Sequence, residues 1–267
     1  MEKTGKISLV ILVAITLVSF LAPAVSSYDP NGIDLMSLKE PPDIHHPLGT
    51  DQKGRDVLTR ILYGGRISIS ISFIAAFFSM GIGLIIGIFS GYFGGKIDAG
   101  IMAFVDMILA FPSLLLAIGI SILFPAGIYT VIIAIVAVGW ASFARLIRSH
   151  VLSIKESTFI EAAKTIGCSN MRILFRHLMP QCIPLMLVMT GLRIGGFLLT
   201  ESSLSFLGLG AQPPTATWGS MISMNRAYIS SAPWMVIFPG LMIAATALCF
   251  NILGDSLREK LGIYIRQ

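Results

Sequence analysis

STFIEAAKTIGCSNMRILFRHLMP, residues 157–180, dictates how the rest of this chain must be arranged. The segment is too polar to cross a bilayer, yet long apolar runs lie on both sides of it. Thr158 and Glu161 have the spacing of a capping box, in which the Glu161 carboxylate reaches back to the Thr158 backbone. That spacing predicts a short helix over about 159–166. Gly167 suits the first position beyond it, where φ is positive and a Cβ costs energy. Ser169 or Asn170 can cap a second short helix, which Pro180 is expected to end or kink. The result is two short helices at a sharp bend, lying on one face of a membrane.

The composition requires that membrane. Of 267 residues, 55% are hydrophobic and only 12% are charged, with a mean hydropathy of +0.83. A soluble domain carries about 25% charged residues, and no compact fold of this length can bury so much apolar side chain. Disorder, collagen-like repeats and a disulfide scaffold are excluded on the same grounds. Six apolar runs, roughly 7–25, 67–92, 98–124, 128–144, 183–205 and 233–253, are each long enough to span. The fold class is therefore an all-α integral membrane protein with six transmembrane helices. The first run, followed by Ala22-Pro23-Ala24, reads as an uncleaved spanning helix rather than a removed signal. The chain divides into an N-terminal helix and external segment (1–66), a core (67–255) holding the polar loop 145–182, and a tail (256–267).

Lys and Arg give the orientation. With the N-terminus inside, the inside segments hold 12 of them and the outside segments 6. This bias predicts that both termini are cytoplasmic, as is the loop 145–182, with 26–66 and 206–232 outside. The net charge of +5 is thus that of a multi-pass plasma-membrane protein in its lipid bilayer and does not indicate a nucleic-acid partner. Gly83, Gly87, Gly91 and Gly95 recur every four residues, a bare stripe that lets another helix approach closely. Cys168, Cys182 and Cys249 have no metal-ligand or disulfide spacing, and no metal site is expected. No G-x-x-x-x-G-K-[ST] phosphate loop is present: Gly95-Lys96 is followed by Ile97, and position 90 is Ser.

Glu161-Ala162-Ala163, three residues, Gly167, nine residues and then a tetrapeptide ending in Pro180 resembles the EAA loop of ABC importer permeases. His177 and Met179 stand where the general pattern has Ile and Leu, and Arg176-His177-x-x-Pro180 is similar to the peptide-permease branch. His46-Pro47-Leu48-Gly49-Thr50-Asp51 with Gly54-Arg55-Asp56, and Glu201-Ser202-Ser203-Leu204-Ser205-Phe206-Leu207-Gly208 with Trp218-Gly219, resemble the second, C-type permease of dipeptide, oligopeptide and nickel importers. The resemblance covers nearly the whole chain. It implies the type I importer permease fold, and a loop (Thr158, Glu161, Ala162, Ala163, Gly167, Arg176, His177, Pro180) that docks on a cytoplasmic ATPase. It also implies a second homologous permease, two ATPase subunits and an external substrate-binding protein. ATP and Mg would be used by the ATPases, so this chain has no catalytic residues and binds no cofactor. Peptides are the implied cargo, with nickel or a nickel chelate as the alternative.

Asp106, Arg193 and Glu201 sit in apolar runs, where an ionised group must face protein or water. Asp106 and Arg193 lie at similar depths, so they either pair or line the substrate path. Glu201 lies near the outer end of its run, as an outer-gate residue or a solvated helix end. The adjacent His45 and His46 invite a nickel contact, but His46 belongs to the HPLGTD motif and reads as structural. A rival class, an ion-coupled transporter or channel without an ATPase, would use Asp106 and Glu201 as proton sites and would have no use for the EAA loop.

Overall fold

The computed structural model describes residues 3–260. The long helices are α1 (Lys3–Phe20), α2 (Val57–Phe93), α3 (Gly95–Ala110), α4 (Ser113–Ile122) and α5 (Ile128–Ile154). A short α6 (Thr158–Thr165) precedes α7 (Asn170–Phe206), α8 (Trp218–Asn225) and α9 (Trp234–Lys260). Five of these are long and apolar enough to cross a membrane, and α3 with α4 forms a sixth, bent span. The run 98–124 is therefore not one straight helix. It breaks by 92° at Phe111-Pro112, because a residue before proline is pushed out of the helical region and Phe111 adopts φ −89°, ψ 144°.

Two boundaries also move. Helix α2 begins at Val57 instead of 67, because Asp56 caps it by accepting from the Thr59 N–H at 2.7 Å. Helix α9 continues through 256–260, so that part of the expected tail is helical. The remainder, including Leu261-Gly262-Ile263-Tyr264, lies outside the described residues.

Helices α2 and α5 share the most extensive contact in the bundle. A Cβ at Gly83 would lie 2.4 Å from that of Phe143, one at Gly87 2.7 Å from the Ala144 carbonyl oxygen, and one at Gly91 2.8 Å from the Val151 Cβ. In lipid no hydrophobic force draws helices together, so such close backbone approach supplies the dispersion contacts that hold them. Gly95 is not part of this stripe. It has φ +57° with open space around it, and it starts α3 after the helix carrying the other three has ended. A bidentate pair fastens the same end of the bundle: Arg148 Nε and Nη2 donate to Asp98 Oδ1 and Oδ2 at 3.0 and 2.5 Å.

At the opposite end the segment before α2 is held by buried charges. Arg55 pairs with Asp51 at 2.7 Å, and Arg60 donates to the Pro30 carbonyl at 2.6 Å. His46 Nδ1 meets Asp56 Oδ1 at 2.9 Å. Gly54 (φ +71°) passes so close to Asp34 that any Cβ would overlap its carbonyl oxygen. The HPLGTD and GRD motifs thus build this segment, and no group of three His, Cys, Asp or Glu side chains suited to a metal occurs among the described residues.

The seam is testable by substitution. Gly87→Leu should lower the melting temperature of the detergent-purified protein, because overpacking costs about 1–3 kcal/mol. Gly81→Leu, on the same helix with nothing within 4 Å of its Cβ position, should leave it nearly unchanged. Equal tolerance at both positions would contradict a close α2–α5 seam.

Candidate functional site

The loop between α5 and α7 packs against the end of the bundle. Ser157, not Thr158, is the residue preceding α6, and its hydroxyl donates to the Ile154 carbonyl at 2.6 Å instead of capping the helix. The expected Thr158–Glu161 capping box therefore does not form. Thr158 is already helical, which turns its side chain away from the free amides. Glu161 and Ala162 are exposed, whereas Ala163 and Ile160 are buried. Gly167 has φ +80° and closes α6 with two backbone bonds, Cys168 N–H to Ala163 O and Gly167 N–H to Lys164 O, both 3.0 Å. No atom lies within 4 Å of a Cβ placed there, so the need for glycine is conformational and not steric.

The second loop helix is not separate. Ser169 accepts from the Arg172 N–H at 3.4 Å and starts a helix that runs unbroken through Pro180 to Phe206. Residues Ile173–Leu178 widen into a π-helical turn just before the proline, where Met179 N–H reaches back to Leu174 O. The wider turn accommodates a residue that has no N–H and a bulky ring, so Pro180 does not end the helix. Ile160 and Ala163 of α6 belong to the same buried cluster as Ile173, Leu174 and Leu178. Tyr92 at the end of α2 donates to Asn170 Oδ1 at 2.8 Å. The loop surface is left with Phe159, Glu161, Ile166, Met171, Phe175 and Arg176, and Ile166 is 79% exposed. His177 is half-buried and Pro180 is exposed.

The intramembrane charges are arranged differently from the expected pair. Asp106 accepts from Arg145, not from Arg193. Arg145 was counted with the loop because the apolar run stops at residue 144, but α5 continues to Ile154 and carries it back against α3. Arg193 lies on the wall of a cavity of about 400 Å³ between the α3–α4 bend, α5 and α7. Phe111, Ser113, Ser142, Phe197 and Thr200 share that wall. Glu201 is not a solvated helix end. It is fully buried, accepting from Ser205 Oγ at 2.7 Å and Ser202 Oγ at 3.3 Å, with Ser68 and Thr217 also against it. The Trp218 backbone N–H donates to the same Ser68, so Glu201 knits α7 to α2 and α8. Composition gave no sign of this, since serine hydroxyls count as neutral in any charge pattern.

Residues 83–262 match the family described as binding-protein-dependent transport system inner membrane component. Residues 2–42 match the N-terminal TM domain of oligopeptide transport permease C. The chain is 40% identical over 260 residues to the dipeptide transport system permease protein DppC of Alkalihalophilus pseudofirmus, covering 97% of this chain and 86% of that one. It is 38% identical to the oligopeptide transport system permease protein OppC of Bacillus subtilis, covering 100% and 87%. It is 40% identical to the glutathione transport system permease protein GsiD of Escherichia coli, with the same coverage of 100% and 87%. The permease fold of the MetNI methionine ABC transporter superposes with a TM-score of 0.62 at 16% identity, over 77% of this chain and 96% of that one. The chain belongs to the binding-protein-dependent transport system inner membrane component family, the permease subunits of ABC importers.

Proposed function

We propose that this chain forms half of the translocation path for di- and oligopeptides in an ATP-driven importer. Its partners are a second, homologous permease, two cytoplasmic ATPases that use ATP and Mg, and an external binding protein. One observation carries the coupling part: α6 and the start of α7 leave Phe159, Ile166, Met171 and Phe175 exposed beside Glu161 and Arg176. Large apolar groups on a charged loop fit a protein cleft better than water. Because α7 is continuous from Asn170 to Phe206, a push on the loop is transmitted along one rod to the cavity wall at Arg193. Peptide cargo rests on the relatives, whose names specify dipeptides, oligopeptides and glutathione. An ion-coupled reading leaves the exposed apolar groups of the loop without a role.

The coupling reading predicts a graded result at Gly167. A β-branched residue at φ +80° costs roughly 1–2 kcal/mol and re-aims the start of α7, whereas Asn tolerates that region. Gly167→Val should abolish uptake with the permease pair still assembled, and Gly167→Asn should retain most of it. Uptake is measured alongside recovery of the ATPase in the purified complex. Normal ATP-driven uptake by Gly167→Val would contradict the assignment.

The proposed orientation has its own test. With Cys168, Cys182 and Cys249 replaced by Ala, Asp43→Cys should react with an impermeant thiol reagent in intact cells. Glu156→Cys should react only after the membrane is opened. Labelling of Glu156→Cys from outside would reverse the topology.

A further inference from the structure

The cavity at the α3–α4 bend contains a cation without a counter-charge. Arg193 stands midway along the membrane part of α7, Met179–Phe206. It makes no ion pair or hydrogen bond among the described residues, and no other charged side chain lines the cavity. Three carboxylates of the membrane helices are already engaged: Asp106 by Arg145, Asp98 by Arg148 and Glu201 by its serines. Asp255, on the helix that packs against Leu192, is exposed and does not line the cavity. A cation kept at such depth faces water or an anion and marks a pathway by default. The rest of the wall carries Ser113, with Ser142 and Thr200 whose hydroxyls donate to the Gly139 and Gly196 carbonyls at 3.0 Å, among apolar groups such as Phe111 and Phe197. Helix α4 also starts at the cavity, at Ser113, with no side chain capping its free amides, which adds a partial positive charge of the same sign.

We propose that Arg193 is a carboxylate-binding site on the translocation path, which pairs in passing with the C-terminal carboxylate of a peptide. The assignment rests on the peptide reading given above. A guanidinium presents a planar fork of donors that matches a carboxylate in two hydrogen bonds. Every linear peptide has that carboxylate whatever its side chains, so one contact guides varied cargo without selecting among sequences. The single charge among neutral walls suits passage, which requires binding firm enough to draw the ligand in and weak enough to release it. The competing occupant of the same chemistry is an acidic side chain of the second permease.

The test uses the complete complex with its binding protein in proteoliposomes. A tripeptide with a free C-terminus is compared with its C-terminal amide, each at a concentration that saturates the isolated binding protein. Arg193→Gln should slow the free acid by roughly tenfold, the scale of a hydrogen-bonded charge pair, and leave the amide within about twofold of the native rate. Arg193→Lys, which keeps the charge but not the fork, should fall between. Equal slowing of acid and amide, with the second permease lost from the complex, would assign Arg193 to the subunit contact and overturn the proposal. Unchanged transport of both peptides by Arg193→Gln would overturn it as well. A native complex that moves neither peptide would instead overturn the peptide reading on which the proposal stands.

Discussion

Three missing side chains, at Gly83, Gly87 and Gly91, determine how closely α2 and α5 approach, and the rest of the bundle is arranged around that approach. In a bilayer the apolar faces of helices gain nothing by leaving lipid, so contact must come from shape. With the Cβ atoms absent, Phe143, Ala144, Ile147 and Val151 of α5 settle directly on the α2 backbone. The seam brings the ends of both helices together at Tyr92 and Ile154, where the loop leaves the membrane. Asp98 and Arg148 then tie α3 to the same end. α7 packs on α2 and α5 in turn, with Gly139 of α5 in contact with Phe197.

On this frame the loop is attached by packing and by the Tyr92–Asn170 hydrogen bond. α6 contacts the Ile173–Leu178 turn at the foot of α7, and Ile160 and Ala163 share a buried cluster with Ile173, Leu174 and Leu178. The π turn at Ile173–Leu178 lets the chain pass Pro180 without a break, and Pro184 follows inside the same helix. In the proposed coupling, force applied at Glu161 or Ile166 enters the membrane along a single helix of 37 residues. The cavity with Arg193 lies on that helix, opposite the bend at Phe111-Pro112. Loop, rod and cavity therefore form one continuous path from the exposed surface to the membrane interior.

Some features governed by local chemistry were legible in the sequence, although the Thr158–Glu161 capping box does not form and the Asp56 cap was not anticipated, and features governed by facing were not legible. The apolar runs, the polar loop and the positive φ of Gly167 each depend on a few neighbouring residues, and the residue types declare them. The partner of Asp106 depended on whether α5 stopped at residue 144 or ran another ten residues, and hydropathy ends a run at the first Arg even when the helix continues. Gly95 kept the four-residue spacing of the stripe, but spacing has meaning only inside one helix, and the left-handed Gly94 and Gly95 end α2 just before it. Glu201 read as a helix end because Phe206 lies only five residues away; α8 folds back over it, and that long-range contact leaves no local pattern. The bend at Pro112 was marked by the proline itself, which the uniform hydropathy of 98–124 obscured.

The central claim is that this chain is driven from outside itself, through the surface of α6 and the start of α7. A cross-link between that surface and the ATPase tests it most directly. Ile166→Cys places a thiol at a 79% exposed position on the loop, and Ile44→Cys places one at a 95% exposed position at the far end of the molecule. In the purified, transport-active complex a short bifunctional thiol reagent should join Ile166→Cys to the ATPase subunit, with a yield that changes when a non-hydrolysable ATP analogue is added. It should leave Ile44→Cys unlinked to that subunit. A complex that transports in an ATP-dependent way, yet gives no ATPase adduct at Ile166→Cys in either nucleotide state, would contradict the account.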